Sequence, residues 1–583
     1  MKTSASQYGL KKTFNQGHLD RVIDRLSASK REWARLPIKQ RIDLLQQVRA
    51  GVVETAEAWA LLAVTRKGLA VDSTLAGEEW MSGPWAMLTA IDILLRTLQR
   101  IDGHRYLNGV KVRRTANGQT AAEVFPLTIT DRLLLSGVSA EVWMEPDISP
   151  ETLRQSSAGS YGAERSSNEG RIALVLGAGN ITSIAPLDAL YKLYAENSVT
   201  VVKLNPVTDY LKPIFETIFK PLIDAGYFAI ASGGVDVGIY LTTHSLIDTL
   251  HITGSSASHD AIIFGVGDDG VDRKKRNRPL NNRPITSELG AVCPTIVAPG
   301  PWTKADLRFQ AEHVATQKLH NSGFNCIAAQ ILILPREWPL KEAFLEELRR
   351  ALARAPSRSL YYPGAQERLA GFLATNPEAI ELGDAADASR ILSFINVEES
   401  EEPPSFSTEV FGPALGVVFV EGNDPAGFLQ SAIAFANDRL HGTLGANVII
   451  DPVTEKALGV NFELLLAELR YGCVAVNAWS GLGFLLAHTP WGAFPGHPLN
   501  DIQSGKGFVH NGFLFDRPQR SIVRAPFRPF PRGILHGSFA MLPRPPWFVT
   551  NRTATATARK IVAFQASPSW LKLPGIFLSA LRG

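Results

Sequence analysis

Cys326 lies in the stretch His320-Asn321-Ser322-Gly323-Phe324-Asn325-Cys326, between a segment with helical spacing and the apolar run Ile331-Leu332-Ile333-Leu334. A cysteine at such a junction can be presented to a cleft while its neighbours fix its position. A thiolate attacks carbonyl carbon far better than a neutral thiol, so a reactive Cys326 needs neighbours that help it ionise. Upstream, Thr303 and Asp306 form a capping-box pattern, and Leu307, Ala311, Val314 and Leu319 recur at near-helical spacing; Asn321 and Gly323 are helix stops. A cysteine seen alone is more often a packing residue, and Cys293 and Cys473, inside apolar strand-like runs, are read that way. Cys326 differs in its company. Ser287-Glu288-Leu289-Gly290 precedes it and Thr408-Glu409-Val410-Phe411-Gly412-Pro413 follows it.

Together these three segments resemble the aldehyde dehydrogenase superfamily, and Asn437-Asp438, His441-Gly442-Thr443-Leu444-Gly445 and 472–477 are similar to further segments of it. The resemblance covers about residues 170–510. It implies that Cys326 is the nucleophile, that Glu288 is the base activating a deacylating water, and that the Asn180 amide with the Cys326 backbone N–H forms an oxyanion hole. It also implies NAD or NADP as cofactor. Lys203 would bind the adenosine ribose, Gly254 and Ser255 would meet the pyrophosphate at a helix N-terminus, Glu409 would hold the nicotinamide ribose and Phe411 would support the cofactor. The family acid three positions after the lysine is Pro206 here, which leaves NAD versus NADP open. Gly177 and Gly179 alone are not a complete dinucleotide fingerprint. The implied reaction is oxidation of an aldehyde to a carboxylic acid through a thiohemiacetal and a thioacyl-cysteine. The alternatives are a coenzyme A-acylating reaction, which Glu288 disfavours, and a non-catalytic scaffold binding a membrane or a partner.

The elements that must position these residues follow an α/β rhythm. Residues 1–110 read as a helical region, with Ile42, Leu45, Val48 and Val52 at helical spacing. Residues 111–285 read as a Rossmann-like NAD(P)-binding domain with a strand flap near 110–146, because continuous apolar runs such as Ile172-Ala173-Leu174-Val175-Leu176 alternate with helical spacings. A catalytic α/β domain spans 286–490, and a C-terminal segment with a basic, aromatic-rich tail spans 491–583. The fold class expected is therefore α/β, a Rossmann-like domain plus an α/β catalytic domain, with N-terminal helices and a basic extension.

With 583 residues, 45% hydrophobic and 20% charged, the chain has the composition of a soluble multidomain protein. Three cysteines argue against a disulfide framework and fit a reducing cytoplasm, and the histidines lack metal-ligand spacing. No secretory leader is read in the polar N-terminus, and no apolar run is long enough to span a membrane. The net charge of +3 is unevenly spread: residues 517–583 hold 11 Lys+Arg and no Asp or Glu, leaving 48 basic against 56 acidic residues before them, a net of −8. That tail reads either as wrapping the acidic body or a partner subunit, or as contacting an anionic membrane peripherally. The basic run at 273–278 reads as a solvated loop, or else as a contact for an anion. No nucleic-acid module is present in the sequence. An aldehyde is the expected substrate, and the resemblance implies a homo-oligomer, dimer or tetramer.

Overall fold

The apolar runs after residue 170 build a parallel sheet, because strands buried on both faces need no alternation. A computed structural model describes residues 14–162, 169–383, 390–397 and 402–583. Across its first sheet lie Ile285–Leu289, Thr249–Gly254, Arg171–Leu176, Ser198–Lys203 and Phe228–Ala231, all parallel. The short strand Gly505–Lys506 closes one edge antiparallel. The chain winds outward from Arg171–Leu176 in both directions, so the strand order reverses between it and Thr249–Gly254. In open α/β sheets, ligands bind outside the carboxyl ends of the strands at such a reversal.

The second sheet has eleven strands. Its parallel centre runs Pro518–Arg524, Cys473–Val476, Gly445–Ile449, Cys293–Val297, Ala329–Pro335, Ala414–Val420 and Arg390–Phe394. Ser139–Met144, Thr120–Phe125 and Val112–Arg114 extend one side antiparallel, and Ile380–Leu382 closes the other. The mixed α/β class is the one expected, but the partition differs in three places. The strand flap assigned to the nucleotide domain belongs to this second sheet, because Ser139–Met144 pairs with Pro518–Arg524. A boundary at 285 falls at the start of the strand Ile285–Leu289, which completes the first sheet. And the tail is no appendage, since its strand Pro518–Arg524 is inserted between Cys473–Val476 and Ser139–Met144.

Charge explains how the tail is held. Arg517 pairs with Glu145 and Asp147, Arg524 with Glu455 at 2.7 Å, Arg528 with Asp306 at 2.9 Å, Arg544 with Glu312 at 2.6 Å and Arg559 with Glu57 at 2.8 Å. The basic tail thus wraps the acidic body of its own chain as far as Arg559. Arg273, Lys274 and Lys275 of the basic run end a helix, Gly267–Lys275, while 276–278 lie in the turn after it; Lys274 pairs with Asp260 at 2.7 Å and Arg276 with Asp272 at 2.9 Å.

Among the described residues, four α-helices precede the first strand, Val112–Arg114: Gln16–Arg35, Ile38–Arg66, Ala76–Trp80 and Ala86–Leu98. Gln16–Arg35 buries Ile23, Leu26 and Trp33 against the first sheet, where the Trp33 indole N–H donates to Leu193 O at 3.2 Å. Ile38–Arg66 runs for 29 residues and delivers Lys67 to the junction of the two sheets.

Candidate active site

The helix Lys304–Leu319 starts with the capping box of Thr303 and Asp306 and leads into a tight turn, His320–Gly323. Three successive residues there are left-handed: Asn321 (φ 54°), Ser322 (φ 56°) and Gly323 (φ 77°). Each non-glycine in that region costs roughly 1–2 kcal/mol, so the surroundings must hold the turn. Gly323 is needed twice over, because a Cβ on it would sit 2.4 Å from Gly412 O. Asn321 is the hub. Its backbone N–H donates to Glu78 at 2.9 Å, and its side-chain amide donates to Asn180 O (3.1 Å) and Phe324 O (3.0 Å). Its carbonyl oxygen accepts from Lys67 (3.2 Å), Arg358 (3.2 Å) and the Tyr361 hydroxyl (3.0 Å).

That turn releases the chain so that the Cys326 thiol points at Glu288, donating to Oε1 at 2.9 Å. Glu288 comes from the last turn of sheet at Ile285–Leu289 and is buried, with Oε2 unpartnered among the described residues. Burial, with Asp188 nearby, pushes its carboxyl up to about 7. The thiol is raised well above its ordinary value by burial first, then by Glu288 and Glu409. The resting pair is therefore a neutral thiol beside a base, and the environment does not favour a standing thiolate. Asn180 follows the strand Arg171–Leu176 and donates its amide N–H to Phe324 O at 2.9 Å, two residues before the cysteine. Cys326, Glu288 and Asn180 are thus brought to one place from the ends of two neighbouring units.

Lys203 ends the strand beside Arg171–Leu176, and Gly254 ends the strand on its other side. Gly254 and Ser255 are exposed, and Ser255 caps the helix Ser256–Ile263 by accepting from Ser258 N at 3.2 Å. These positions share the carboxyl edge of the sheet with the Gly177-Ala178-Gly179-Asn180 turn. Glu409 reaches the same cleft from the other unit: a Cβ on Gly290 would meet its carboxylate at 1.8 Å. Burial raises Glu409 to about 8, opposed by Lys318 and Arg368, and burial lowers Lys318 to about 7. Phe411 (φ 42°) packs 5.7 Å from Phe324 and 5.0 Å from Tyr362, which ties the Glu409 segment to the cysteine loop.

Sequence reading missed the residues that hold this site together. Lys67, buried, pairs with buried Glu79 at 2.9 Å and donates to Asn180 O at 2.8 Å; Arg358 pairs with Glu78 at 2.7 Å. One signal was available: Glu78 and Glu79 are adjacent acids inside the otherwise apolar stretch from Leu75 to Trp85, and buried acids need partners. Asp209 was missed too. It lies beyond Pro206 on Pro206–Leu211 and acts on Lys203, raising it against the lowering effect of burial.

A family model described as "Aldehyde dehydrogenase family" matches residues 180–359, the segment that carries Asn180, Glu288 and Cys326. The chain is 25% identical over 278 residues to coniferyl aldehyde dehydrogenase of Pseudomonas sp. (strain HR199 / DSM 7063), covering 45% of this chain and 53% of that one. It is 28% identical over 311 residues to aminoacetaldehyde dehydrogenase of Pseudomonas aeruginosa, covering 50% and 56%. The chain thus spans about half the length of these curated relatives. Its fold is similar to NADP-dependent glyceraldehyde-3-phosphate dehydrogenase from Bacillus halodurans C-125, complexed with NADP (TM-score 0.57, 18% identity, 87% of this chain and 91% of that one). It is similar as well to aldehyde dehydrogenase C from Pseudomonas syringae, complexed with NAD+ and octanal (TM-score 0.56, 16% identity, 88% and 90%). Residues 180–359 are thus similar to the aldehyde dehydrogenase family, and the fold of the chain is that of solved aldehyde dehydrogenases.

Proposed function

We propose that this protein oxidises an aldehyde to a carboxylic acid with NAD or NADP, and that Cys326 is its nucleophile. The observation that carries the reading is the 2.9 Å contact between the Cys326 thiol and Glu288 Oε1, in a buried cleft at the carboxyl edge of the first sheet. As sulfur attacks the aldehyde carbon, the thiol proton passes to Glu288, so no standing thiolate is required. The new oxyanion takes a hydrogen bond from the Asn180 amide, which keeps a second N–H beyond the one given to Phe324 O, and from the Cys326 backbone N–H. Loss of one such donor typically costs about 10²–10³ in rate. After oxidation, the acyl-cysteine is opened by water. Glu288, deprotonated again and aimed at the sulfur, removes the water proton, and the acid leaves.

The residues present suit a dinucleotide. The exposed helix start at Gly254 and Ser255 offers backbone N–H groups to a pyrophosphate. Lys203 and Asp209 stand where an adenosine ribose would lie, and Glu409 Oε1 is a buried carboxylate oxygen without a partner among the described residues. When bound, the nicotinamide would accept the hydride that converts the thiohemiacetal to the thioacyl-cysteine. Phe411 would support it. Glu288 favours water over coenzyme A as the acyl acceptor.

The test is formation of reduced nicotinamide, followed by absorbance across a panel of aldehydes, with and without coenzyme A. Turnover without coenzyme A, abolished in Cys326→Ala and reduced to one burst in Glu288→Gln, is the expected result. Turnover only with coenzyme A would reject hydrolysis. Full activity in Cys326→Ala would reject the nucleophile.

A further inference from the structure

The C-terminal helical hairpin, Ala554–Ala566 and Leu573–Ala580, carries a face that nothing among the described residues covers. The second helix buries Leu573, Ile576 and Ala580 towards the first. Its outward side is apolar as well. Pro574, Leu578 (60% exposed) and Leu581 (45%) recur at i, i+4 and i+7 along the second helix and its C-cap, and the 3₁₀ turn just before it, Trp570–Lys572, adds Trp570 (63%) and Leu571 (91%). Surface helices ordinarily turn charged side chains to water, so an apolar outer stripe marks a contact surface.

Charge surrounds this stripe with one sign. Arg517, Arg524, Arg528, Arg532, Arg544 and Arg559 of the tail are matched to carboxylates of the body, and Arg520 donates to the Leu466 and Leu469 carbonyls, whereas Arg552, Lys560, Lys572 and Arg582 make no ion pair among the described residues. Lys560 and Lys572 spend their donors on backbone carbonyls of the hairpin itself, Gly575 for the first and Ala563 and Ser567 for the second. No Asp or Glu occurs after Asp516. An isologous pairing of two copies through this face would set cation against cation. A single short helix also offers far less area than the roughly 1,200 Å² that a stable specific protein interface buries in total. A lipid surface needs no shape complementarity, and an exposed Trp beside a leucine stripe ringed by Lys and Arg suits the headgroup boundary.

We propose that the face formed by Trp570, Leu571, Leu578 and Leu581 docks peripherally on a membrane surface rich in anionic phospholipid. No helix among the described residues is long and apolar enough to cross a membrane, so the contact is superficial. The inference is independent of the chemistry proposed above, and its test uses no catalytic readout. The full chain is centrifuged with vesicles of phosphatidylcholine alone or mixed with phosphatidylserine. At least about tenfold more protein should pellet with the anionic vesicles, with release at high salt. Leu571→Glu/Leu578→Glu should abolish pelleting while leaving the melting temperature unchanged; Arg552→Glu/Arg582→Glu, at two exposed positions that leave the Lys560 and Lys572 bonds of the hairpin in place, should weaken the preference for phosphatidylserine. Equal pelleting of wild type and variants, or none with anionic vesicles, would overturn the proposal. Self-association without vesicles that Leu571→Glu/Leu578→Glu abolishes would assign the face to a second copy instead.

Discussion

Lys67 Nζ donates to the main-chain carbonyl of Asn180 at 2.8 Å while pairing with Glu79 at 2.9 Å, so a helix end 113 positions upstream holds the asparagine opposite the cysteine. All three groups are buried. Replacing Lys67 by Met strands the Glu79 carboxylate, and breaking a buried pair on one side costs about 3–5 kcal/mol. Lys67→Met is expected to lose that much in denaturant unfolding, and the double variant Lys67→Met/Glu79→Leu to regain most of it. If Asn180 depends on Lys67 for its position, the double variant stays stable but keeps a lowered kcat with little change in KM.

Glu288 makes stability and activity run in opposite directions with pH. Its carboxyl titrates near 7 in the fold against an ordinary 4.5, because burial disfavours the charge. Between those values the unfolded chain binds fewer protons, so this contribution is fully present below 4.5 and is lost as pH rises through 7. Glu288→Gln keeps the shape without the titration. Above about pH 8 the variant is expected to be more stable than wild type by up to about 3 kcal/mol, with the difference vanishing near pH 4. The kcat of the wild type should rise through the same interval, since the base must be ionised. Unfolding curves and pH–rate profiles of the two proteins check both.

Asp209 is expected to bias the cofactor. It is half-buried, acts electrostatically on Lys203, and keeps Oδ1 unpartnered among the described residues. A carboxylate there accepts from ribose hydroxyls and repels a 2′-phosphate. NAD should therefore be preferred, and Asp209→Ser should shift the ratio of kcat/KM towards NADP by about tenfold, equivalent to about 1.4 kcal/mol. An unchanged ratio would remove Asp209 from cofactor selection.

The tail is expected to be part of the folding unit. Ending the chain at Asp516 removes the strand between Cys473–Val476 and Ser139–Met144, exposing two sheet edges and several buried side chains, and should give insoluble protein. A gentler probe is Arg528→Met. Asp306 is held down to about 2 by hydrogen bonds from Arg528, Thr303 and Arg532, so its contribution is present above its ordinary 3.8 and lost as pH falls through 2. With Arg532 still in place, the variant should lose about 2 kcal/mol or more at neutral pH, measured by denaturant unfolding.

The local signals were legible because they are local. The apolar run at 172–176 could only be a strand buried on both faces, Thr303 and Asp306 could only open a helix, and the segments around Glu288, Cys326 and Glu409 carried the family resemblance. What tertiary structure decided was partnership across long separations. The flap joined the second sheet because its strand found Pro518–Arg524, and the basic tail found carboxylates from Glu57 to Glu455. The charges under the site, Lys67, Glu78, Glu79 and Arg358, come from two distant stretches. A buried ion is stable only beside its partner, and no periodicity in one segment records which residue of another segment will stand opposite it.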